Sequence, residues 1–192
     1  LLGVLICNIN STNFEPSCRF VGALCIPYVI ITDCDYYHIV DEKKHFGDIE
    51  DANHVGKGFD GIDRIYRMYQ GSVDPEYIHL NNEEKRKYFE TFGTYIGEYT
   101  LEVDIFKKAT GPDRDVLCSI FNQLTNGGQV QKNNFYAELS SGRYNKCLSK
   151  IDSTYSGIGK GRFAQRLATH ISASIIPEYI SNAIDAIVAK VR

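Results

Sequence analysis

The stretch Ile26-Pro27-Tyr28-Val29-Ile30-Ile31-Thr32-Asp33-Cys34-Asp35 decides how the rest of the chain reads. Tyr28 to Ile31 form an unbroken apolar run, introduced by Pro27 and closed by polar residues. Such a run reads as a buried parallel strand. A strand of that kind ends at the ligand-binding edge of an open α/β sheet. Side chains two apart on an extended chain point the same way, so Asp33 and Asp35 are expected to face one point in space. Two carboxylates that close repel each other in a low dielectric unless a cation sits between them. The sharp reading is a hard-metal site for magnesium or manganese. The plain alternative is a solvated loop with two turn-forming aspartates.

Upstream, Leu1 to Ile9 reads as a second buried strand, ended by Asn8, Asn10 and Ser11. Ser11 or Asn13 can cap a following helix, in which Phe20, Val21, Leu24 and Cys25 share one face. Strand, helix and strand make a βαβ unit with parallel pairing and a right-handed crossover. The expected fold class is therefore α/β, a parallel sheet flanked by helices.

Composition sets the outer limits. The 192 residues suffice for one domain with its own core, and 43% are hydrophobic, which excludes a disordered chain. The net charge of −3 gives no global basic field, so any contact with DNA would be a local patch. The six cysteines, Cys7, Cys18, Cys25, Cys34, Cys118 and Cys147, form no CxxC pair. That argues against a zinc knuckle or redox motif and for a reduced, cytoplasmic protein. The apolar start is too short to span a membrane and lacks the features of a signal peptide, so no membrane partner is expected. The chain opens without Met and already inside a strand-like run, as a piece of a longer protein would.

Downstream, residues 36 to 58 read as a long polar loop carrying His38, His45 and His54, whose spacing matches no usual zinc pattern. Gly56-Lys57-Gly58 then leads an amphipathic helix with Ile62, Ile65, Tyr66 and Tyr69. Lys57, Arg64 and Arg67 give that helix a basic outer face, by default a solvated one. Asn81 to Glu90 reads as helix, and Phe92, Thr94, Tyr95 and Ile96 have strand character. Thr100 can cap a helix carrying Leu101, Ile105 and Phe106. Glu102 then lies in its first turn, where a carboxylate is favoured. Pro112 opens a helix bearing Leu117, Ile120, Phe121 and Leu124, and Gly127-Gly128 stops it. Residues 133–151 read as helix again, so 110–151 looks like a helical insert. The loop Tyr155-Ser156-Gly157-Ile158-Gly159-Lys160-Gly161-Arg162 can hold an anion at a helix start. It is not a nucleotide P-loop, because no GxxxxGK with Ser or Thr is present. A last helix from Pro177 is expected to bury Ile180, Ile184, Ile187, Val188 and Val191.

Several of these segments, in order, resemble one family. They are Ile9-Asn10-Ser11-Thr12-Asn13-Phe14, the Ile26–Asp35 stretch, Glu98-Tyr99-Thr100-Leu101-Glu102-Val103-Asp104-Ile105-Phe106, Gly159-Lys160-Gly161-Arg162-Phe163-Ala164-Gln165 and Ile176-Pro177-Glu178-Tyr179-Ile180. Together they resemble the C-terminal Toprim domain of OLD-family (overcoming lysogenization defect) ATP-dependent endonucleases. The Thr-Leu-Glu and Lys-Gly-Arg-Phe-Ala segments are the specific parts.

The resemblance implies a Toprim-like Rossmannoid sheet with a helical insert and C-terminal helices, the whole chain being one nuclease domain. It implies that Asp33 and Asp35 bind a divalent metal, magnesium or manganese, and that Glu102 is a further ligand. It implies that Lys160 stabilises charge on the scissile phosphate. Asp33, Asp35 and Lys160 are thus the expected catalytic residues. The expected partners are DNA, an ATPase domain or subunit preceding this segment, and further copies of the chain. The setting implied is phage defence. The family's earlier strand, ending in Glu with a second acidic residue a turn later, has no counterpart here, so the domain is expected to be N-terminally incomplete. Two alternatives stay open. One is a non-catalytic DNA-binding or assembly module that retains a partial metal site. The other is a different α/β phosphate enzyme.

Overall fold

A computed structural model describes residues 4–9, 13–40, 43–46, 58–152 and 157–192. The expected capping Ser11, the loop residues Lys57 and His54, and Tyr155-Ser156 lie outside the described residues. The chain divides into two compact units. The first holds the described residues of Leu1–Phe46, Val55–Tyr99 and Glu178–Arg192, and the second those of Thr100–Pro177.

In the first unit, helix α1 (Glu15–Ala23) precedes strand β1 (Ile30–Thr32). Strands β2 (Tyr36–Val40), β3 (Lys43–Phe46) and β4 (Gly58–Phe59) then form an antiparallel sheet in the order β3-β2-β4. Helix α2 (Asp60–Tyr69) follows β4 directly. Helix α3 (Asn82–Glu90) starts in a capping box, in which the Asn81 side chain accepts from the amide of Glu84 and the Glu84 carboxylate accepts from the amide of Asn81. Strand β5 (Thr94–Ile96) runs parallel to β1, pairing Ile30 with Thr94, Ile31 with Tyr95 and Thr32 with Ile96. The crossover between these two strands contains α2 and α3, as parallel pairing requires.

The second unit is helical: α4 (Leu101–Lys108), α5 (Pro112–Leu124), α6 (Gln129–Ser140), α7 (Tyr144–Asp152) and α8 (Lys160–Leu167). Its core is aromatic. Phe121 stacks on Phe135 with ring centroids 4.0 Å apart, and Phe106 meets the edges of Phe135 and Phe163. All four rings are buried. Helix α9 (Glu178–Lys190) belongs to the first unit, where it packs on β1 and β5.

The expected α/β architecture is present: a parallel strand pair flanked by helices, a helical stretch after Thr110 and a C-terminal helix. Four local expectations are corrected. Residues 4–9 form no strand, and Leu5 and Ile6 are exposed, because no partner strand lies beside them among the described residues. Helix α1 forms but buries no residue, and Phe20 and Leu24 stand in solvent. The loop expected over 36–58 is in part sheet, since β2 finds partners in both β3 and β4. On α9, Ala183 and Ile187 are buried, whereas Ile184 is exposed, as is Val191 just beyond the helix. The helix meets the sheet along one stripe narrower than its apolar face.

Candidate functional site

The Asp33-Cys34-Asp35 segment is the short turn that connects β1 to β2 rather than a continued strand. Asp35 adopts φ +49°, the left-handed region that Asp tolerates better than most residues. The strand-face rule therefore stops applying at Thr32. Strand periodicity thus does not set the relative directions of Asp33 and Asp35.

Neighbouring backbone holds the turn on both sides. The Cys34 amide donates to the Tyr99 carbonyl at 2.9 Å, just beyond β5. The amides of Asp60 and Gly61 donate to the carbonyls of Asp35 and Cys34 at 3.1 and 2.8 Å. These are first-turn amides of α2, groups with no partner inside their own helix. The turn thus serves as the cap that the side chain of Phe59, at the cap position, does not provide. Cys34 is fully buried at its centre, while Asp33 and Asp35 are half-buried.

Arg64 closes the arrangement. Its Nη2 donates to Asp35 Oδ2 at 2.9 Å and lies 3.5 Å from Thr32 Oγ1, and its Nη1 lies 3.9 Å from Asp60 Oδ2. The Arg64 side chain is only 13% exposed, and its Nε is buried without a hydrogen-bond partner. Arg64 and Arg67 also line a cleft of about 280 Å³ with Asn13, Phe14, Glu15 and Met68. Sequence reasoning placed Arg64 on a solvated outer face and did not single out Gly61. A faint signal was there: Asp60 and Arg64 stand one helical turn apart, with a glycine between them where α2 begins.

Carboxylate oxygens are hard donors, and magnesium is held by as few as one or two of them with water completing its shell. Asp33 and Asp35 meet that minimum, and the Arg64 guanidinium stands as a cation against one of them. Among the described residues, no group of three or more His, Cys, Asp or Glu side chains could hold a metal ion.

In the second unit, Glu102 is half-buried in the first turn of α4. Thr100 occupies the expected cap position with extended backbone, but its side chain makes no capping bond and its Oγ1 is buried without a partner. Lys160 opens α8 after Gly159, whose φ of +74° suits glycine. The Gly159 amide donates to the Ile151 carbonyl at 3.0 Å, and buried Phe163 anchors the helix beneath. Lys160 Nζ lies 3.8 Å from Asp152 Oδ2, with 41% of the lysine side chain exposed. No ion pair joins Glu102 to Lys160 among the described residues.

No protein-family model matches the sequence, and no curated protein does. Solved structures match over almost the whole chain. The C-terminal region of the Burkholderia pseudomallei OLD protein superposes with TM-score 0.68 at 24% identity, covering 100% of this chain and 84% of that one. The C-terminal region of the Xanthomonas campestris pv. campestris OLD protein, phased with platinum, gives TM-score 0.64 at 25% identity, covering 98% and 81%. The same region phased with mercury gives 0.62 at 27% identity, covering 98% and 83%. These proteins share with this chain the parallel sheet with its helical stretch and C-terminal helices, a Toprim-like Rossmannoid fold. No described helix is long and apolar enough to cross a membrane.

Proposed function

We propose that this chain, a Toprim-like C-terminal region of the OLD type, is a divalent-metal-dependent DNA endonuclease domain. The observation that carries the reading is the Asp33–Asp35 turn. Two carboxylates stand at the end of a parallel strand, fixed by backbone hydrogen bonds to Tyr99 and to the first turn of α2. Ligands gather at this edge of a parallel sheet.

In this reading Asp33 and Asp35 hold magnesium or manganese, and Glu102 is a further ligand. Bound metal would supply an activated water and neutralise charge on a phosphodiester. Lys160 would meet the non-bridging oxygen on which charge grows, at the amide-rich start of α8. The turn's backbone bonds to the first turn of α2 hold the main chain of Asp35 in place. An ATPase domain or subunit, further copies of the chain and a role in phage defence complete the proposal. They are supported by the sequence resemblance and by the fact that the matching structures are C-terminal regions of OLD proteins.

The test is nicking of supercoiled plasmid by the full chain with magnesium or manganese. Nicked circles that require metal and vanish in Asp33→Ala are expected. Equal cleavage by folded Asp33→Ala would refute the site. A second reading, a non-catalytic DNA-binding or assembly module, is favoured by two observations: Asp35 is already paired with an arginine, and no three-ligand group stands among the described residues. Metal-independent DNA binding without nicking would select it.

A further inference from the structure

We propose that Arg64 is the resident counter-cation of the Asp33–Asp35 turn and competes with divalent metal for Asp35. This inference rests on the proposed metal site and adds what sets its affinity. Three observations converge on it. The guanidinium is directly hydrogen-bonded to Asp35 Oδ2 at 2.9 Å, so that oxygen cannot complete a metal shell without loosening the bond. The pair is largely withdrawn from water, at 13% and 32% exposure, where a cation's field is screened least. Arg64 is also imperfectly satisfied where it sits, since its Nε is buried without a partner and its contacts to Thr32 and Asp60 are long.

A cation held by one short bond and two long ones can be displaced. The adjoining cleft, lined by Arg64 and Arg67, gives the freed guanidinium somewhere to go. A guanidinium is suited to a phosphate oxygen once it leaves a carboxylate. The ion pair therefore balances the Asp35 carboxylate in the absence of metal and is given up when a divalent cation arrives. Arg64 is thus a positioning residue that acts through Asp35.

The experiment measures Mn²⁺ binding to the full chain by electron paramagnetic resonance of free Mn²⁺, with calorimetry as a second readout. Arg64→Gln removes the competing charge. Arg64→Lys keeps it on a compact ammonium that loses the planar fork. Arg67→Gln removes a neighbouring charge that does not pair with Asp35. Affinity should rise from wild type through Arg64→Lys to Arg64→Gln, the last by about tenfold or more, as expected for removing a unit charge at this range. Arg67→Gln should stay within about twofold, because its charge is more exposed and screened. Asp35→Asn should lose binding.

Unchanged or weaker binding in Arg64→Gln overturns the proposal, as does an equal rise in Arg67→Gln. If Arg64→Gln does not fold, Arg64→Lys decides alone, tighter binding supporting competition and equal or weaker binding refuting it. Should Arg64→Gln weaken binding while Asp35→Asn abolishes it, the metal site stands and competition falls. If Asp35→Asn binds like wild type, the metal reading itself fails and this inference with it.

Discussion

Gly61 packs directly against the carbonyl oxygen of Asp33, and a β-carbon at position 61 would collide with that oxygen and stand 2.8 Å from the carbonyl oxygen of Cys34. The obstacle is backbone, so no side chain can rotate away. Replacing a glycine inside a helix by alanine ordinarily stabilises by about 1 kcal/mol. Here the sign should reverse. Gly61→Ala is expected to lose about 1–3 kcal/mol to overpacking and to push α2 off the aspartate turn. Urea denaturation of the full chain checks this. A more stable Gly61→Ala would mean that the helix and the turn are not in close contact.

Glu90 gives a pH-dependent prediction in the same unit. It ends α3, where a carboxylate opposes the helix dipole. Burial first, then repulsion from Glu178 on α9, raises its carboxyl above the ordinary value of 4.5, with Lys87 working the other way. The folded protein thus prefers the protonated acid. The cost of ionising Glu90 is absent below the ordinary value and fully present once pH has risen through the raised folded-state value. Glu90→Gln should therefore raise the melting temperature at pH 7, and the gain should shrink towards zero as pH falls below about 4. Melting curves across that range test it. A gain that does not change with pH would assign the effect to something other than ionisation.

The parts of the fold legible in the sequence are those set by local pattern. Ile62 and Ile65 fall on the buried face of α2 as their spacing requires, and Pro112 begins α5 after Gly111. Thr94-Tyr95-Ile96 forms a fully buried strand, as its residue types favour. What depends on distant partners was not legible. Tyr36–Val40 has strand-forming residues, but the charged stretch around it hid the pairing with β3 and β4. The apolar face of α1 was easy to see, yet amphipathicity cannot say whether anything covers it. At the candidate site the two aspartates were visible as a motif. Their geometry was not, because Asp35 leaves the strand for a left-handed conformation and its partner Arg64 lies 29 residues away. Gly61 carried no motif at all, since its role comes from one close backbone approach.

Thiol chemistry offers a check on burial at the turn and in the helical unit. None of the six cysteines is in a disulfide, and Cys7 and Cys25 are exposed while Cys34, Cys118 and Cys147 are buried. Burial, with help from Asp115, pushes the Cys118 thiol up to about 11. The thiolate is the reactive form, so Cys118 should resist alkylation near neutral pH twice over, by access and by protonation. Iodoacetamide at pH 7.5, read by mass spectrometry, should label Cys7 and Cys25 first and leave Cys34, Cys118 and Cys147 unlabelled until denaturant is added. Early labelling of Cys34 would show that the aspartate turn opens in the native protein.

Lys160 separates chemistry from stability. It stands at the first position of α8, and its one ion pair among the described residues is the long one to Asp152, with both side chains well exposed. A pair of that kind contributes roughly 0–1 kcal/mol, and α8 is anchored instead by buried Phe163 and Leu167. Lys160→Ala should therefore melt within a few degrees of wild type. If Lys160 meets the charge that grows on a phosphate oxygen, the same substitution should lower plasmid nicking by about 10²–10³-fold, while Mn²⁺ binding through Asp33 and Asp35 is unchanged. Arginine at this position should restore part of the rate, since it returns a cation to the helix start. Folded Lys160→Ala that nicks at the wild-type rate would remove Lys160 from the proposed machinery. A loss of Mn²⁺ binding in the same variant would instead give it a structural part in the metal site.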